Sequence, residues 1–239
     1  MRFKDTDYGD LTGQTYDGDI DLSYMHLTSL EGAPEKVTGD FICSFNELIN
    51  LEFVPKIILG DFKCSHNTTL TSLKGFPEQV GGSIEIFNTK IDKLEFIQDE
   101  VYGDFNCSST LLTSLKGSPK KVDGSFQCHM CEIISLEGSP TTVTEDFMCS
   151  NNQIKTLKGG PEYVGGFFVA NNNELTSLAY LPSGIDRFMA DDNPNKYLSV
   201  EYEIRKENPT LSDEEITNLL YLKVGDISVL PEDMREFIL

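Results

Sequence analysis

Residues 103–123 read GDFNCSSTLLTSLKGSPKKVD, and most of the chain restates this stretch. A unit opens at Gly18, Gly39, Gly60, Gly82, Gly103, Gly124, Glu145, Gly166 and Asp186, every 21 residues except for 22 after Gly60 and 20 after Gly166. A fixed period of this length marks a solenoid, in which each unit is too small to bury its own apolar face and stacks on its neighbours to do so. The array is read as residues 18–195, eight full units and a partial ninth, between an N-terminal cap over 1–17 and a helical C-terminal cap over 196–239.

Two columns point inward. The third position holds Ile20, Phe41, Phe62, Ile84, Phe105, Phe126, Phe147, Phe168 and Phe188; the fifth holds Leu22, Cys43, Cys64, Ile86, Cys107, Cys128, Cys149, Ala170 and Ala190. This alternation predicts a short strand with one buried face. A Leu or Ile follows at residues 27, 48, 70, 91, 112, 133, 154 and 175, and a further Leu three residues later. Pro then falls at 34, 55, 77, 119, 140, 161 and 182, followed by a β-branched residue such as Val37, Ile58 or Val80. A proline in nearly every return leaves little room for a helix, so the returns are expected to be extended or polyproline-like. Each buried Phe or Leu contributes about 1.5–3 kcal/mol, so one coil cannot offset its own ordering but a stack can.

The pattern Phe41-x-Cys43-x-x-Asn46-x-Leu48-x-x-Leu51 resembles the leucine-rich repeat, LxLxxNxLxxL. The period, with LPSGI at residues 181–185, is similar to the short class found in secreted effectors of bacterial pathogens. Similar arrays occur in proteins of large tailed phages. The resemblance covers about three quarters of the chain. It implies a horseshoe with a parallel β-sheet on the concave face, extended returns on the convex face, and protein–protein binding. In that family the Asn bonds backbone groups of adjoining coils. Asn46, Asn67, Asn152, Asn173 and Asn193 match it, whereas Met25, Thr89, Thr110 and Cys131 do not, so the middle coils are expected to be less tightly tied. Residues 82–102 depart in another way, with Phe87 where Ser is usual and Gln98 where Pro is usual. This unit reads as an irregularity and a contact point.

The ends differ from the array. Residues 1–17 are polar and are expected to cover the first coil's open edge as a loop or hairpin. Ser212 followed by Asp213, Glu214 and Glu215 predicts a capped helix that continues through Ile216, Leu219, Leu220 and Lys223. A further helix is expected within Tyr197–Lys206, and Pro231 opens a short one carrying Met234, Phe237 and Ile238.

The chain has 39 acidic and 19 basic residues and a net charge of −20. That balance argues against binding nucleic acid or an anionic membrane, both of which need clustered Lys and Arg, and favours a partner with a basic surface. No apolar segment suggests a signal peptide or a membrane span, so a cytoplasmic protein of the producing or infected cell is expected, with reduced thiols and as a monomer.

Chemistry-bearing motifs are sparse. Cys128-His129-Met130-Cys131 has zinc-ligand spacing, but the repeat already accounts for Cys128 as a core residue. His66 and His129 lie about three coils, on the order of 14 Å, apart along the sheet, too far to act as a pair. No nucleophile, phosphate-loop or metalloprotease motif appears, so neither enzymatic activity nor a cofactor or metal is expected.

The second position of the unit is more informative: Asp19, Asp40, Asp61, Asp104 and Asp146 recur there. In-register strands would make of them a carboxylate ladder with steps of about 5 Å. These residues either shape the turn entering each strand through hydrogen bonds to nearby backbone, or face a ligand. The exposed fourth position varies, with Lys63, Glu85, Gln127, Met148 and Val169 among its members, and Tyr24, Phe45, His66 and Met130 lie just beyond the strands. With Phe87, these columns form the candidate partner-binding face. The expected function is a non-enzymatic binding module of phage or effector type that blocks a host protein, such as a defence factor, through an acidic concave face. The alternative is a nucleic-acid mimic, whose carboxylates would stand in for phosphates; a ladder near 4.8 Å matches the 3.4 Å or so of a DNA strand poorly.

Overall fold

The computed structural model describes residues 1–230 and folds as a parallel β-solenoid with a period of about 21 residues. Its spine is a nine-stranded parallel sheet whose rungs follow chain order: Ile20–Asp21, Phe41–Ile42, Phe62–Lys63, Ile84–Glu85, Phe105–Asn106, Phe126–Gln127, Phe147–Met148, Phe167–Val169 and Arg187–Met189. Registers are strict, column on column, as in Phe62↔Ile84 and Lys63↔Glu85. The third- and fifth-position amides donate to the coil that follows; Phe41 N reaches Asp61 O at 2.9 Å and Cys43 N reaches Lys63 O at 2.7 Å.

The inward columns are the core. Phe105, Phe126, Phe147 and Phe168 stack with centroid separations of 5.4, 5.4 and 5.1 Å, and every one is fully buried. The Leu and Ile columns of the descending segment close the same core. Asn46 shows how adjacent coils are tied: its Oδ1 accepts from Leu27 N at 2.9 Å, while its Nδ2 donates to Leu22 O at 2.8 Å and Cys43 O at 3.1 Å. Asn67, Asn152, Asn173 and Asn193 repeat this bridge. The substitutes do less. Thr89 donates only to Ile86 O of its own coil; Thr110 donates to Cys107 O of its own coil and meets Cys131 of the next through sulfur at 3.3 Å, and Cys131 reaches back to Cys107 O at 3.6 Å.

The returns are more ordered than polyproline, which has no internal hydrogen bonds. Their prolines are buried, and the β-branched residues after them form two four-stranded parallel ladders, one from Thr15–Tyr16 to Gln79–Val80 and one from Glu100–Val101 to Tyr163–Val164. The break between the two falls at Gln98. Its side-chain amide accepts from Val80 N at 2.8 Å and donates to Val80 O at 2.9 Å, standing in for a strand.

Both ends are covered. Residues 1–17 form no hairpin: Thr15–Tyr16 pairs in parallel with Lys36–Val37, and Phe3 is fully buried beside Tyr8, so the segment acts as a partial coil. At the other end, helix α1 (Leu198–Glu207) continues the aromatic spine through Tyr202, whose ring lies 5.5 Å from Phe188. Glu201, 4% exposed, accepts the Leu178 amide at 2.9 Å, a proton that a further coil would otherwise take. Helix α2 (Asp213–Val224) opens on the expected Ser212 N-cap, which forms a capping box with Glu215, and ends on Gly225 in the left-handed region. The short helix expected at Pro231 lies outside the described residues.

Candidate binding face

The acidic column is a staple between coils. The Oδ1 atoms of Asp19, Asp40, Asp61, Asp104 and Asp146 accept the second-position amide of the following coil, from Asp40, Asp61, Ser83, Ser125 and Phe167, at 2.7–2.8 Å. Where the column holds Ser83 or Ser125, the hydroxyl accepts at 3.1 or 3.4 Å. The backbone these carboxylates bond is thus that of the next coil and not that of their own turn.

This staple explains the glycine that opens each unit. To reach its amide, Asp40 passes over Gly60, where an added Cβ would sit 2.2 Å from the carboxylate oxygen; Gly39 and Gly82 are crowded alike by Asp19 and Asp61. Each unit that follows a second-position Asp begins with Gly, whereas Glu145 and Asp186 follow Ser125 and Phe167. Glycine is retained for close approach, because any side chain there would displace the carboxylate.

The fourth-position side chains line the outer face of the nine-stranded sheet. Lys63 lies between Asp61 and Glu85, 3.3 and 3.2 Å away, and although burial works against its charge, these carboxylates raise its pKa overall. Two coils on, Asn106 donates to Gln127 at 3.1 Å. The column then turns apolar: Met148, Val169 and Met189 sit side by side in register and half-exposed, with exposed Phe167 next to them. Thus Lys63, Glu85, Gln127, Met148 and Val169 share one surface with the five Asp residues, and Phe87 lies at its edge.

A feature that residue types alone did not reveal is the backbone of the turn after each strand. The seventh position of all nine units lies in the left-handed region, with φ of 52–61°. Asn88, Asn151, Asn172 and Asp192 suit that conformation. His66 is also tolerated there, whereas Tyr24, Phe45 and Met130 are not suited to it, and bulky side chains there cost on the order of 1–3 kcal/mol each. A second left-handed column, at the start of the returns, holds Gly32, Gly75, Gly117, Gly138 and Gly159, but also exposed Phe53, Phe96 and Tyr180. In the first column the aromatic residues stack, Tyr24 on Phe45 at 4.4 Å and Phe45 on His66 at 4.1 Å, and His66 lies edge-on at 5.0 Å to Phe87, which precedes the column's Asn88. The signal for these turns was the Asn, Asp and Gly sharing each column.

The six cysteines are free and buried, and burial pushes the thiols of Cys43, Cys107, Cys128, Cys131 and Cys149 up. His129 lies 3.0 Å from the Ser108 hydroxyl, and partial burial lowers its pKa. Among the described residues no group of three or more His, Cys, Asp or Glu is placed to hold a metal ion, and no helix is long and apolar enough to cross a membrane. Compared with family models, curated proteins and solved structures, the chain matches none.

Proposed function

We propose that the chain is a short-class leucine-rich-repeat protein, with its nine-stranded sheet on the concave side of a horseshoe, and that it is a non-enzymatic module that binds and blocks another protein. The observation that carries this reading is the fourth-position column. Its inward neighbours repeat almost without change, while this column passes from Asp21 and the Lys63–Glu85 pair to the apolar run Met148, Val169 and Met189. A face that only had to be wet would need no such run. The net charge of −20 favours a partner with a basic surface and argues against direct binding to nucleic acid or an anionic membrane. The resemblance to effector and phage arrays supports inhibition of a host factor in the cytoplasm.

Nucleic-acid mimicry is the weaker reading, because one oxygen of each ladder carboxylate is already committed to a backbone amide. Affinity capture from the native host, followed by titration of the captured protein in rising salt, separates the two. A docking face that binds through this apolar run keeps most of its affinity in 0.5 M salt, and Met148→Ala or Val169→Ala weakens it. A steep loss with salt and indifference to both substitutions would favour mimicry.

A further inference from the structure

We propose that the open edge of the last rung, Arg187–Met189, is a strand-docking site that takes an extended acidic segment of the partner as a tenth rung. This rests on the reading of the chain as a protein-binding module, and extends that interface to the C-terminal end of the sheet. Along the array the third- and fifth-position amides donate to the following coil, the last of them being Ala170 N to Met189 O at 2.7 Å. At the last rung Phe188 N and Ala190 N, and Asp192 N in the turn beyond, have no acceptor among the described residues. The helical cap supplies none. Glu201 takes the Leu178 amide and Tyr202 covers the Phe188 ring, yet a cleft of about 440 Å³ opens between α1 and Asp186, Arg187 and Phe188. The first rung is covered differently, since Asp21 N donates to the Tyr8 hydroxyl at 3.3 Å. A row of unpaired strand amides is a template for an added strand.

Register and charge select the occupant. Second- and fourth-position side chains face outward, so a parallel tenth rung sets one residue beside Arg187 and another beside Met189. The first is acidic. Arg187, Lys206 and Lys223 border the cleft with no ion-pair partner among the described residues, against two carboxylates, Asp186 and Glu203. Arg205 nearby is by contrast held by Glu201 and Asp213. Three free cations around one cleft are out of keeping with a chain of 39 acidic and 19 basic residues. The residue beside Met189 is apolar, and extends the run Met148, Val169 and Met189. The residue between them points inward, where Tyr202 already covers Phe188 at 5.5 Å, so it is small, as is the one that follows Ala190 in its column. The segment therefore reads acidic, small, apolar, small.

The test titrates the isotope-labelled full chain with the end-blocked peptide Gly-Glu-Gly-Leu-Ala-Gly to millimolar concentration and reads amide shifts by NMR. Saturable shifts should centre on Phe188 and Ala190. Replacing the peptide's Glu by Lys should weaken binding at least fivefold, although the chain as a whole attracts cations. N-methylation of its Leu removes the main-chain donor a parallel strand offers to Phe188 O, and should weaken binding as much. Ala190→Pro deletes an amide that nothing in the described fold uses, so the variant should fold, which circular dichroism checks, and bind at least fivefold more weakly. Absence of saturable shifts, equal binding of the Lys peptide, or full binding of the N-methylated peptide or by the folded Pro variant would overturn the site. The outer-face reading would then still stand or fall by Met148→Ala and Val169→Ala. Should the Pro variant not fold, the N-methylated peptide on the parent chain decides in its place. Self-association of the parent that Ala190→Pro abolishes would give the edge to a second copy and refute the partner segment.

Discussion

Replacing Asp40 by Ala removes the acceptor for the Asp61 amide, now 2.7 Å from Oδ1. A hydrogen bond to a charged acceptor is worth about 1.5–3 kcal/mol when buried; this rung is half-exposed, so water recovers part of it and about 1–2 kcal/mol is expected. Asp40→Asn behaves differently. The amide oxygen accepts the same proton, and removing one charge from a row spaced about 5 Å relieves repulsion of about 1 kcal/mol in water. The Asn variant should therefore match the parent or exceed it. Making both changes at Asp40, Asp61 and Asp104 enlarges the contrast: the triple Ala chain should lose roughly 3–5 kcal/mol and the triple Asn chain about 1 kcal/mol at most, including the half-exposed Lys63 contact. Asp40 and Asp61 share a rung, so strict additivity is not expected. Urea unfolding at constant m-value reads these differences as midpoint shifts. If the Ala and Asn chains unfold together, the carboxylates do not staple the coils and the account of the opening glycines fails with them.

Gly60→Ala should cost about 2 kcal/mol or more, since its Cβ would meet Asp40 Oδ1 at 2.2 Å and the Gly39 carbonyl carbon at 2.7 Å; adding Asp40→Ser should return part of that in the same assay, and no recovery would contradict the pairing of Asp with Gly. Native-state thiol labelling followed by mass spectrometry should find Cys131, the least buried thiol at 9% exposure, modified first, and Cys43, Cys64, Cys107, Cys128 and Cys149 protected; rapid labelling of all six would break the register. His129 binds its proton less readily in the fold than in the unfolded chain, so its contribution is complete above the unfolded value near 6.5 and is lost as pH falls through it towards the lower folded value. His129→Gln should therefore flatten the fall in stability as pH drops below about 6.5, and an unchanged slope would count against it.

The columns were legible because a two-residue alternation and a fixed period leave few ways to bury Phe41, Cys43, Leu48 and Leu51 together. The helical cap was legible at Ser212 for a similar reason, because its capping box is local. What escaped were relations between coils. That Asp40 reaches the Asp61 amide depends on register, and a single sequence does not show how far a carboxylate extends across the next glycine. Gln98 stood out as a missing proline, yet its role as a surrogate strand for Val80 needed coordinates. The left-handed turns were hidden at Tyr24, Phe45 and Met130 because those residue types disfavour the conformation; Asn88, Asn151 and Asn172, read down the same column, carry the clue. The outer-face residues were placed on the correct strand side by alternation, but their division into an ion-paired end and an apolar end rests on contacts such as Lys63–Glu85.

Photo-crosslinking tests the binding-face claim most directly. A benzophenone side chain placed at Gln127 or Val169 reports from the outer face of the nine-stranded sheet, and one at Tyr163 reports from the return ladder. With the captured partner present, adducts should form from 127 and 169 and not from 163. Adducts from 163 alone would move the interface to the returns and contradict the account.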